Sequence, residues 1–378
     1  MDWSRWRQEF PVSTERIHFN HAGVSPVSRR VVEATTRFIQ DAAEFDPVKL
    51  RQWEWHAEEV RDSFARLVGA SGEEIAFVKN TSEGLSLVAA GIDWREGDNV
   101  IAIDGEYPSN VYPWWGLRRK GVETRMATPR SAVITVDDLR PLADRCTRVV
   151  AISFVDWSSG ARHELASIGS WCREQGILFC VDGIQGVGAV PLDVEACAID
   201  CLAVGGHKWL LAPEGVGCLY VSRRIVDRLH TVLLGWKSVS NAETYLPYHF
   251  DVRPDAAKFE PGSPPTLGTA AFGAAVDLLH EIGPTTVTAR LMEINDRLAE
   301  GLRRLGAEIV SPWNPEQRSG IVVFRLGETP SLYDRLTKDG FVVRLRGGGI
   351  RVAPHFYNSD DQIDRLIDVV AGARGDRK

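Results

Sequence analysis

The stretch ILFCVDGIQGVGAVPLD (177–193) is an apolar run that ends in an aspartate and then turns through glycines. Its apolar residues are continuous rather than alternating, the pattern of a strand buried on both faces of a parallel sheet. Asp182 closes that strand, and in open parallel sheets ligands bind beyond the carboxyl ends of the strands. The next apolar run, IDCLAVGG (199–206), leads directly into HKWLLAP, so Lys208 is expected at the same edge. A lysine set among glycines, Trp209 and two leucines is costly unless it is paired or its amine is used for chemistry.

Working outward, EEIAFVKN (73–80), DNVIAIDG (98–105), RVVAISFVD (148–156) and GVGCLYVSR (215–223) read as further strands. SEGLSLVAAGI (82–92), VYPWWGLRRKG (111–121) and LASIGSWCREQG (165–176) read as helices between them. This alternation predicts a doubly wound, mainly parallel α/β domain. Two amphipathic helices precede it, within 28–69, and residues 1–24 read as an irregular arm. The proline-rich passage 250–269 interrupts the pattern. Two helices follow it, then strand (320–326), helix (330–340), strand (341–346), strand (349–356) and helix (359–374). The expected organisation is an arm (1–24), a large domain (25–284) and a small C-terminal α/β domain (285–378).

The 378 residues carry a net charge of −7, with 44% apolar and 25% charged residues. This is the composition of a globular protein and argues against general binding to nucleic acid. No apolar run approaches the ~20 residues of a membrane span, and MDWSRWRQEF lacks the apolar core of a secretory signal. A cytoplasmic location is expected. The six cysteines form no CxxC pair and read as reduced and packed; Cys197 and Cys201 lack partners at metal-ligand spacing, so no metal is expected.

An acid and a lysine at one sheet edge make either a salt bridge or the two protein groups that a pyridoxal 5′-phosphate (PLP) site requires. The amine condenses with the cofactor aldehyde, and the carboxylate keeps the ring nitrogen protonated so that the ring withdraws electrons. VDGIQG…GGHKW resembles the core signature of the class V aminotransferase family of fold-type-I PLP enzymes, which includes cysteine desulfurases, and the resemblance runs from about residue 18 to 370. It implies that Lys208 is the Schiff-base lysine and Asp182 the partner of the pyridinium nitrogen. It also implies that Gln185 bonds the ring hydroxyl and that His207 binds the phosphate. In FVKNTSEGLSLVAA (77–90), Thr81 and Ser82 match the family's phosphate-binding pair at a helix N-terminus, where free N–H groups favour an anion; on its own, Thr81 reads as a helix cap. EPGSPPTLGT (260–269) resembles a segment that reaches the neighbouring subunit's phosphate, which places Ser263 there and implies a homodimer with shared active sites. Tyr107, in EYPSNVYPWW (106–115), matches the residue that stacks on the ring.

For the substrate, the resemblance implies an amino acid whose α-carboxylate is gripped by Arg351, in GGGIRVAPHFYNSDDQIDRL (347–366). A planar guanidinium suits that bidentate task. Arg344 and Arg346 read as solvated or interface charges, either of them available to a second acidic group. His21, in the stretch Asn20–Gly23, is expected to touch substrate. Three departures stand out. No cysteine follows Cys218, so the desulfurase nucleophile is missing. Gly205 stands where serine is common. Trp157 stands where asparagine is common, and it is expected to reshape the pocket, with Trp236 and Lys237 as further lining candidates. The expected function is a PLP-dependent enzyme acting on an amino acid through an external aldimine. It is read first as an aminotransferase, with C–S or β-lyase or epimerase activity as the alternative and a non-catalytic scaffold as the reading of another class.

Overall fold

A computed structural model describes residues 1–14 and 16–375. Seven strands form the large sheet: β1 (Ile75–Val78), β2 (Asn99–Ile103), β3 (Glu123–Ala127), β4 (Thr147–Ser153), β5 (Leu178–Asp182), β6 (Cys201–Gly205) and β7 (Gly217–Val221), in the order β1-β7-β6-β5-β4-β2-β3. Only β7 runs against the others. Six of the seven match the predicted runs. The edge strand β3 lies outside them, because ETRMA is mostly partly exposed and carries no apolar run.

The continuous apolar runs are explained by burial on both faces. Ile101, Ile152, Phe179, Val181, Leu202 and Val204 enter one core, whereas Val100, Ala151, Cys180, Cys201 and Ala203 enter the other. Successive side chains point to opposite faces, so a strand covered on both sides must be apolar throughout. The cysteines are part of this packing: all six are free, and Cys172, Cys180, Cys201 and Cys218 are buried.

Helices α1 (Arg29–Glu44), α2 (Pro47–Val68), α3 (Thr81–Gly91), α4 (Leu165–Gln175), α5 (Thr266–Ile282) and α6 (Pro284–Arg304) cover the sheet and connect it to the C-terminal part. α2 starts where Asp46 caps Val48 N–H, with Pro47 at the first helical position, and stops at Gly69, whose φ of 73° ends the helix. The run 111–121 forms one short helical turn, Tyr112–Trp115, followed by a 3-10 segment rather than one helix.

The C-terminal sheet has the order β10-β11-β9-β8, where β8 is Glu308–Ile309, β9 Val322–Arg325, β10 Arg344–Arg346 and β11 Gly349–Val352, all pairs antiparallel. β10 and β11 form a two-residue hairpin at Gly347 and Gly348, both at positive φ, which only glycine adopts without strain. Helices α7 (Thr329–Lys338) and α8 (Asp360–Gly375) complete this part.

The N-terminal segment is not irregular. It contains the helix Trp3–Arg7, buries Trp6, Phe10 and Phe19, and stacks Phe10 on Tyr357 with ring centroids 3.9 Å apart. Ile17–His18 pairs in parallel with Phe341–Val342, and Asn20 bridges to Ala353. This tie to residues far along the chain leaves no local periodicity to read. No described helix is long and apolar enough to cross a membrane.

Candidate active site

Because β1, β2, β4, β5 and β6 run the same way, their carboxyl ends open at one edge. Asp182 is the last residue of β5, and Ser153, paired with it in register, is the last of β4. Thr81 and Ser82 follow β1, Glu106 and Tyr107 follow β2, and His207 and Lys208 follow β6. All of these except Ser153 line one cavity of about 1080 Å³, together with Trp157, Gln185 and Arg351.

The lysine turn is held firmly. Gly206 N–H bonds to Val216 O (2.9 Å), and Ala212 N–H bonds to Gly206 O (3.0 Å). Leu211 adopts φ 60°, a strained conformation for a branched residue, and such strain collects at functional sites. Ser25 clamps the turn from the N-terminal segment: its N–H bonds to His207 O (2.8 Å), and its hydroxyl bonds to Lys208 O. On the other side, a Cβ on Gly186 would sit 2.1 Å from the Phe154 ring, so the chain after Asp182 turns where only glycine fits.

The electrostatics suit a reactive amine. Burial lowers Lys208 to about 8, against the attraction of Asp182 and with help from Arg351. Burial raises Asp182 to about 6, opposed by the Ile184 N–H (2.9 Å) and by Lys208. The Lys208 ammonium lies 5.6 Å from the centroid of the Tyr107 ring, which meets Trp157 edge-on. Trp157 is fixed by donating to Gly105 O (3.0 Å) and does reach the cavity, whereas Trp236 and Lys237 do not line it.

The residues fit PLP. Thr81 Oγ1 is buried and has no hydrogen-bond partner among the described residues. The cap of α3 is instead Asn80, whose side chain accepts from Glu83 N–H (2.9 Å). Thr81 therefore offers a hydroxyl to an anion at the start of a helix, rather than serving as the cap. Ser82 shares a 2.7 Å hydrogen bond with Ser109. Gln185 donates to Ala22 O (2.9 Å) and accepts from Trp209 (3.0 Å), which leaves one amide hydrogen for a ligand.

Two expected residues stand elsewhere. His21 is fully buried, and its two ring nitrogens are engaged by Ala353 O and the Tyr357 hydroxyl, each at 2.8 Å. It is a core histidine; its neighbours Asn20, Ala22 and Gly23 line the cavity instead. Ser263 is exposed and outside the cavity of its own chain. The start of its loop is anchored by Glu260, which pairs with buried Arg61 (2.6 Å) and accepts from Phe77 N–H (2.8 Å).

The sequence reading passed over several polar residues of the cavity: Glu106, alongside His18, Asn80, Ser109 and Glu214. Glu106 accepts from Ser153 through both its N–H (2.5 Å) and its hydroxyl. Burial pushes its carboxyl up to about 8, and the nearby Asp182 charge adds to the rise. The only signal was an acid directly after a strand end, beside a more conspicuous tyrosine.

Known proteins resemble this chain over almost its whole length. The family model described as Aminotransferase class-V matches residues 17–366. A probable cysteine desulfurase of Methanothermobacter thermautotrophicus is 27% identical over 97% of each chain. Isopenicillin N epimerase of Streptomyces clavuligerus is 28% identical over 99% of each chain. Among solved structures, a variant of C-DES with glycine covalently linked to its PLP cofactor superposes with a TM-score of 0.89 at 22% identity, covering 97% of this chain and 98% of that one.

Proposed function

The chain belongs to the class V aminotransferase family, whose members are PLP-dependent enzymes, and from that premise we propose that this cavity takes the α-proton from an amino acid and returns it elsewhere, as a transaminase does. The observation that carries this reading is the lining of one cavity by Lys208, Asp182 and Arg351 together.

Thr81, Ser82 and His207 would hold the phosphate, Gln185 the ring hydroxyl, Asp182 the ring nitrogen and Tyr107 one ring face. The cofactor supplies an aldehyde that condenses with amines and a ring that delocalises the electron pair left at the α-carbon. Arg351 binds the substrate α-carboxylate. Trp157 O (2.6 Å) and Asn20 Oδ1 (3.3 Å) orient its two terminal nitrogens, so little reorganisation is needed. Lys208, held near neutrality by burial, accepts the α-proton at Nζ as general base. Asp182 keeps the proton at the ring nitrogen.

A second reading is β-elimination at a C–S bond, favoured by the names of the desulfurase relatives. Sulfur transfer through an enzyme persulfide is set aside, because no cysteine follows Cys218 and none lines the cavity. Single-turnover product analysis separates the two readings. Keto acid in step with an amino form of the cofactor supports transamination, and ammonia with pyruvate or sulfide supports the lyase. No product and no spectral change with any amino acid overturns both.

Completion of the site across a homodimer is part of the proposal. Leu233, Leu234, Trp236, Leu246, Tyr248 and Phe250 are exposed in one stretch before the Ser263 loop, and a solvent-facing apolar stretch of this size suits a subunit contact. Sedimentation of a monomer at micromolar concentration would refute it.

A further inference from the structure

Three guanidiniums share one wall of the cavity. Arg344 and Arg346 stand two residues apart on β10, and so on one face of the sheet. Arg351 on β11 lies directly opposite Arg344 in the antiparallel register, where paired side chains share a face. All three line the cavity.

Like charges directly opposite each other across two strands are destabilising, and an interposed carboxylate is the usual remedy. None is present here: among the described residues, none of the three makes an ion pair, and their hydrogen bonds go to uncharged oxygens. Arg344 donates to Val343 O (3.2 Å) and Arg346 to Leu345 O (2.9 Å). Arg351 donates to Trp157 O and Asn20 Oδ1, and its Nε is buried without a partner. Of the nearby acids, Asp182 accepts from Ile184 N–H, Glu106 from Ser153, and Asp156 Oδ1 from Ser158 and Ser159; Glu214 also lines the cavity, beside His207, and none of the four forms an ion pair with these arginines among the described residues. Burial and the two neighbouring arginines bring Arg351 down to about 10, and the pull of Asp156 offsets this only in part.

A single α-carboxylate answers one of these cations and leaves two. We propose that the substrate is an amino acid whose side chain ends in a second carboxylate, with Arg351 taking the α-carboxylate and Arg346, supported by Arg344, taking the distal one. This rests on the amino-acid reading above and deepens it. The Arg346 guanidinium lies 6.0 Å from the Trp157 ring centroid, so the methylene chain between the carboxylates would run along the indole. Two residues along a strand span roughly 7 Å, commensurate with a dicarboxylic amino acid of roughly four to six carbons.

The test compares acids with their neutral amides on the holoenzyme: glutamate against glutamine, and aspartate against asparagine. Apparent Kd is read from the change in cofactor absorption. The wild type should favour the acid by about tenfold or more, a single charge-assisted contact. In Arg346→Gln that ratio should collapse to within about twofold of unity, and Arg346→Lys should restore part of it. A wild-type ratio at or below unity overturns the proposal, as does an Arg346→Gln variant that weakens acid and amide alike. Calorimetric titration with glutarate and butyrate reads the arginines without turnover: tighter glutarate binding that Arg346→Gln removes supports the proposal, and equal binding overturns it. Silence from every amino acid in the absorption experiment, with glutarate still preferred, would strike the amino-acid reading rather than the dicarboxylate site.

Discussion

Asp182→Asn separates the cost of building this site from its use. Asp182 is 2% exposed, and burial raises its carboxyl from 3.8 to about 6. That rise corresponds to roughly 3 kcal/mol of preference for the protonated form in the folded state. The attraction of Lys208 is already included in it, since Lys208 acts to lower the value. A carboxyl whose pKa rises on folding binds its proton more tightly when native. Its contribution to stability is therefore complete below pH 3.8, falls between 3.8 and about 6, and is fully lost above that. The amide in the Asp182→Asn variant would be neutral throughout, and its oxygen would still accept from Ile184 N–H. Cofactor-free Asp182→Asn should therefore exceed cofactor-free wild type in stability by up to about 3 kcal/mol at pH 7.5, with the gap closing toward pH 4. Urea unfolding followed by tryptophan fluorescence at pH 4.5, 6 and 7.5 measures it. With PLP restored the order of merit reverses: without the ring-nitrogen partner, turnover should drop by about 10²–10³-fold. A variant less stable than wild type at pH 7.5, or a gap that ignores pH, would refute the placement of Asp182 as a buried charge held for a ligand.

The other expectations concern single groups. Borohydride reduction should fix PLP to the wild-type chain at the peptide containing Lys208, and Lys208→Ala should retain no covalent cofactor by mass spectrometry. Thr81→Val should weaken PLP binding by about ten- to a hundredfold, the loss of one hydrogen bond to a charged group, yet leave the cofactor-free melting temperature unchanged or raised, because the hydroxyl has no protein partner to lose. Glu260→Ala should cost about 1.5–3 kcal/mol in urea unfolding, since it removes the less exposed of the two carboxylates paired with Arg61, leaving Glu58, and the acceptor of Phe77 N–H.

The sheet edge was legible because the signals for it are local. A strand covered on both faces must be apolar throughout, so β5 and β6 announce themselves, and an acid or lysine closing such a run must sit at the rim. That placed Asp182 and Lys208 before any coordinates. β3 went unseen because an edge strand need not be apolar. His21 was misjudged because its partners, Ala353 and Tyr357, lie at the opposite end of the chain, and Glu106 was passed over because its partner, Ser153, closes a different strand.

From residue order alone came the mainly parallel α/β sheet and the placement of an aspartate and a lysine at one of its edges, both consequences of short-range periodicity; the roles expected of that pair came from the family resemblance. Only the folded chain decided which polar groups are satisfied. That, among the described residues, the Thr81 hydroxyl has no partner while Asn80 caps its helix, and three arginines on one cavity wall form no ion pair, depends on distances between residues far apart in sequence. The hydrogen bonds and charges that set them act over a few ångströms in space.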